Sequence, residues 1–67
     1  MNNQTEFEKV EKELVEELNK RGLELKGADA EMTAEYIIEA RYADPTYNVN
    51  QYITDTLKNY PKMLVEQ

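Results

Sequence analysis

Four residues punctuate this chain and limit what it can become: Gly22, Gly27, Pro45 and Pro61. Proline inside a helix removes a backbone hydrogen bond and clashes with the preceding turn. Glycine favours the left-handed backbone that ends helices. Between these stops lie three stretches long enough to be helical, and helices are expected over about residues 6–21, 30–43 and 49–60. The links joining them are under about ten residues, which suits antiparallel neighbours. The fold class that follows is all-α, a small three-helix bundle, with residues 1–67 as one domain.

Each stretch carries its own start signal. In the first, Phe7, Val10, Leu14 and Leu18 recur at helical spacing. Thr5 with Glu8 reads as a capping box, the hydroxyl meeting a free amide and the carboxylate reaching back. Glu8–Lys12 and Glu16–Lys20 are favourable i,i+4 pairs. Lys20 and Arg21 suit the negative end of the helix dipole, and Gly22 is the stop.

The second stretch starts at Asp29, with Thr33 as an alternative cap one turn later. It ends near Ala43, because Asp44 precedes Pro45 and is pushed out of the helical region. The third starts at Asn48, with Gln51 three residues on and Tyr47 and Tyr52 at the hydrophobic-staple positions. Its stripe is Val49, Ile53, Leu57 and Tyr60, and Pro61 closes it. The expected core is Phe7, Val10, Leu14, Leu18, Leu23, Met32, Tyr36, Ile37, Ala40, Val49, Ile53, Leu57 and Tyr60.

The segment Leu23-Glu24-Leu25-Lys26 alternates and then breaks at Gly27. Only Met63-Leu64-Val65 offers an edge for a strand there, and an isolated two-stranded pair is marginal. An ordered loop tucking Leu23 and Leu25 under the helices is therefore expected, with a minor extended segment at 23–26 as the alternative.

Composition excludes much. With no histidine and no cysteine the chain lacks the commonest general base, the commonest zinc ligand and any thiol. Neither a Ser/His/Asp nor a Cys/His set can be assembled, and no glycine-rich phosphate loop exists, so no enzyme is expected. Asp29, Glu31, Glu35 and Glu39 do not follow a calcium-loop pattern, so neither a metal nor a cofactor is expected. No run reaches the ~18 apolar residues of a membrane span, and the polar start shows no signal-peptide core, which points to the cytoplasm.

Formal net charge is −6, from 14 acidic and 8 basic residues. The excess is concentrated at residues 22–44, where six acidic side chains meet two basic ones. Nucleic-acid and anionic-membrane binding need clustered Lys and Arg, so neither is expected. A small helical DNA-binding regulator is the weakest reading, since the third helix would have to read bases without phosphate anchors.

Helix 2 carries the functional clue. At about 100° per residue, Met32, Tyr36, Ile37 and Ala40 share one arc. Ile38 and Tyr42 lie roughly opposite, beside the ridge Glu31, Glu35 and Glu39. A helix apolar on two sides is either central or keeps a face for a partner. The expected partner-binding residues are Glu31, Glu35, Ile38, Glu39 and Tyr42, presented to a protein with a basic surface, as an acidic inhibitor or regulator would. The alternative is a homodimer joined through helix 2, since a domain of this size is thinly stabilised and gains from association.

Overall fold

The computed structural model describes residues 3–67, with side chains from Glu6 onward. The chain is mostly helical: α1 spans Asn3–Lys20, α2 Ala30–Ala43 and α3 Val49–Asn59. A small sheet pairs β1, Leu23–Leu25, with β2, Leu64–Glu66, and a single 3₁₀ turn at Pro61–Met63 leads into β2.

The local signals explain most of these bounds. Asp29 caps α2 by accepting from the Met32 amide at 2.8 Å, and Asn48 caps α3 by accepting from the Gln51 amide at 2.8 Å. Gly22 takes φ +69° just past α1, and its amide donates to the Asn19 carbonyl at 3.1 Å. The start of α1 is earlier than expected. Thr5 lies inside the helix, not at its cap, and its side chain lies outside the described residues. Lys20 pairs with Glu17 at 3.3 Å instead of Glu16, one residue away around the helix. Glu8–Lys12 is not among the ion pairs of the described residues.

The segment after Gly22 is a short strand, so the alternative of a minor extended segment at 23–26 holds and the expected loop is corrected. Leu23 pairs with Glu66, Glu24 with Val65 and Leu25 with Leu64, antiparallel. Hydrogen bonds continue past both ends of the ladder: the Lys26 amide donates to Met63, and the Gln67 amide donates to Gly22. The Gln67 side-chain amide adds a bond to the Leu23 carbonyl. Two strands alone are marginal. Here β1 packs on α1, and Leu64 is buried in the core, so the pair closes one end of the hydrophobic interior.

The helix at the centre is α1, which packs against both α2 and α3. Its Val10, Leu14 and Leu18 are buried. They meet Ala34 and Ile37 of α2, Val49, Tyr52 and Ile53 of α3, and Leu64 in one core. The two-sided apolarity of α2 therefore does not make it central. Its inward arc is centred between the two expected arcs, on Ile37 and Ala34, with Ala30, Thr33 and Ile38 as flanks. Small residues on that arc let α2 lie close to α1.

Four expected core residues are on the surface: Met32 (61% exposed), Tyr36 (56%), Leu57 (39%) and Tyr60 (65%). The reasons differ. Met32 and Tyr36 were placed inward by an arc that the rotation of α2 turns out. On α3 the core positions are Val49, Tyr52, Ile53 and Thr56, because steps of four residues drift by about 40° each and carry Leu57 off the stripe. Tyr60 ends the helix with φ −139° and ψ 60°, so its direction no longer follows the helical repeat.

Candidate functional site

The outer face of α2 carries the expected ridge. Glu31, Glu35 and Glu39 are exposed, and Tyr42 is 84% exposed. Ile38 departs from that group: it is half-buried and packed against the core, so its apolar surface is mostly spent inside. The structure thus brings Tyr42 and the three carboxylates onto one solvent face and sets Ile38 at its foot.

The electrostatics of this face follow from where Arg41 goes. Arg41 is the one cation of α2, and it turns away from the ridge. Its Nε donates to the Tyr47 carbonyl at 2.8 Å, and its Nη1 lies 3.8 Å from Glu6 Oε2 on α1. Among the described residues none of Glu31, Glu35 and Glu39 has an ion-pair partner. Three like charges one turn apart repel weakly along the helix and project a negative field outward.

Beside the ridge lies a feature that sequence reasoning missed. Between α2, α3 and the 3₁₀ turn runs a groove of about 500 Å³, lined by Met32, Tyr36, Tyr47, Tyr52, Tyr60 and Met63. Thr33, Tyr52 and Thr56 are the buried residues of its lining. Met32 and Tyr36 stand on the α2 side, and Tyr60 and Met63 on the far side. Tyr36 reaches across to Tyr52 in an edge-to-face contact, with ring centroids 5.8 Å apart and planes at 61°. That contact forms part of the groove wall on the α2 side.

The turn between α2 and α3 fixes one end of the groove. Asp44 Oδ1 accepts from the Thr46 hydroxyl at 2.7 Å and from the Thr46 amide at 3.1 Å, which holds its carboxyl below the usual range. The Tyr47 amide donates to the Asp44 carbonyl at 2.9 Å, so Tyr47 leaves the turn in a set direction. Burial pushes the Tyr47 phenol up to about 12, with smaller contributions from Tyr36, the Asp55 carboxylate and Tyr52. Tyr47 is therefore neutral at physiological pH, and both it and Asp55 line the groove.

The missed signal was the clustering of tyrosines around one connection. Tyr36, Tyr47, Tyr52 and Tyr60 flank the α2–α3 turn and the α3 end, yet each has a separate local explanation as core edge or staple. Only the relative rotation of the helices brings them to one groove. No family model, no curated protein and no solved structure matches this chain. No helix among the described residues is long and apolar enough to cross a membrane.

Proposed function

We propose that this chain is a non-enzymatic protein-binding module, a three-helix bundle acting in the cytoplasm as an acidic inhibitor or regulator. The outer face of α2 meets a basic surface on another protein. Tyr42 is the anchor, with a large apolar ring and a polar tip that suit an interface centre. Glu31, Glu35 and Glu39 pair with Lys or Arg of the partner and speed encounter more than they add affinity. Ile38 supports the Tyr42 ring from below.

The observation that carries this is the exposure of Tyr42 beside three carboxylates whose only helical cation, Arg41, is committed elsewhere. A charged face with its own counter-ions would have little to offer a basic partner. This one leaves its charge unspent.

The test is photocrosslinking from position 42 in a lysate of the native host, with Lys9 on α1 as a control position. A single basic protein captured from position 42 supports the proposal if high salt abolishes capture and a variant with Glu31→Gln, Glu35→Gln and Glu39→Gln loses it. Capture that persists in high salt and in that variant would remove the acidic face from the interaction.

A further inference from the structure

The groove beside the ridge carries a second, more specific chemistry. Its lining combines four tyrosines with the polar side chains of Thr33, Asp55, Thr56 and Asn59. Asp55 and Asn59 are one turn apart on α3 and so share a face. Among the described residues Asp55 has no ion-pair partner. Tyrosine faces attract cations through the ring quadrupole, and the attraction grows as water is excluded. A volume near 500 Å³ falls in the range of ordinary ligand pockets. The Asp55 carboxylate is the one formal charge of the lining and attracts a cation, whereas an anion would be repelled by it and by a net charge of −6.

From this we infer that the groove between α2 and α3 takes an arginine side chain of a partner protein, its guanidinium stacked among Tyr36, Tyr47, Tyr52 and Tyr60 and hydrogen-bonded to Asp55 and Asn59. Arginine fits better than lysine on two counts. Its planar group stacks on rings, and its several N–H donors match acceptors spaced along one helix face. Met32 and Met63 then cover the aliphatic stem and the residue beside it, as flexible thioethers do at binding surfaces. The inference rests on the proposed protein-binding role only in taking the arginine from a protein. The groove itself is independent of Glu31, Glu35 and Glu39.

The experiment is an NMR titration of the full ¹⁵N-labelled chain with the blocked tripeptide acetyl-Gly-Arg-Gly-amide. Its citrulline and lysine counterparts serve as comparison probes. Citrulline keeps the shape and removes the charge. The expected result is saturable shifts at Tyr36, Tyr52, Thr56 and Asn59 with the arginine peptide. The citrulline peptide should bind about tenfold more weakly and the lysine peptide several-fold more weakly, as loss of a partly desolvated cation–ring contact implies. Asp55→Asn and Tyr36→Leu should each weaken the arginine peptide by a similar factor. Both positions are exposed, so the variants keep the fold. The Glu31→Gln, Glu35→Gln, Glu39→Gln variant should weaken peptide binding less than Asp55→Asn does and leave the shifts centred on the groove, which separates this site from the acidic face. Equal binding of citrulline or lysine, no saturable binding, or shifts confined to the ridge of α2 would each overturn the assignment.

Discussion

The two sides of α2 solve different problems with similar residue types. Toward α1, Ala34 and Ile37 are fully buried, and the helices lie close because the contacting residues are small or branched. Toward α3, Met32 and Tyr36 are large, and the Tyr36–Tyr52 contact lies in the wall of a groove. Apolar content alone does not distinguish these sides. Side-chain size does: small residues seal a seam, and rings that meet edge to face build a wall with space beside it. A helix can therefore be apolar on two sides with only one of them in the core.

The sharpest way to break this comparison is a pair of truncations. Ile37→Ala should cost about 2–5 kcal/mol, the range for emptying a closed core. Tyr36→Ala should cost about 1 kcal/mol, chiefly the aromatic pair. Urea denaturation of both variants decides it. Equal losses would mean that the groove side is as much core as the seam.

A smaller effect tests how the sealed side is closed off. Gly22→Ala should cost about 1–2 kcal/mol, because φ +69° is strained for a residue with a Cβ. No heavy atom lies within 4 Å of the added carbon, so the cost is conformational and not steric. The same denaturation measurement applies, and an unchanged midpoint would show that α1 can end another way.

A last effect, confined to alkaline pH, belongs to the groove alone. Burial raises the Tyr47 phenol to about 12 from an ordinary 10.0. Between those values the unfolded chain has given up a proton that the folded chain keeps, so stability should be intact below pH 10 and fall as pH rises toward 12. Tyr47→Phe should remove that portion of the alkaline loss, read by denaturant midpoints across the same range. An identical pH profile in the variant would place the titration elsewhere.

How much of this was legible in advance depends on the distance over which each feature is decided. The capping residues Asp29 and Asn48, the stop at Gly22 and the breaks at Pro45 and Pro61 act within a turn, and the helix bounds follow from them. The alternation at Leu23–Lys26 and the apolar Met63–Val65 marked both strands as candidates, but whether Leu23–Leu25 meets Leu64–Glu66 depends on how the helices between them fold back. The rotation of α2 depends on which of several half-apolar arcs packs best on α1, so Met32 and Tyr36 were misplaced. On the candidate surface, Glu31, Glu35, Glu39 and Tyr42 were readable as an outer face. Ile38 was not, since it sits at the boundary of that arc. The groove was illegible for the same reason as the rotation that creates it.

The strand pair also sets an order of events. The helices need only local contacts to begin, whereas pairing β1 with β2 closes a loop that spans α2 and α3, at a higher entropic cost. The sheet then behaves as a clasp, late to fasten and able to open without disturbing the α2–α3 turn. In hydrogen exchange this would appear as a separate opening unit, with the amides of Lys26 and Gln67 released together while those of Ile37 and Ile53 stay protected.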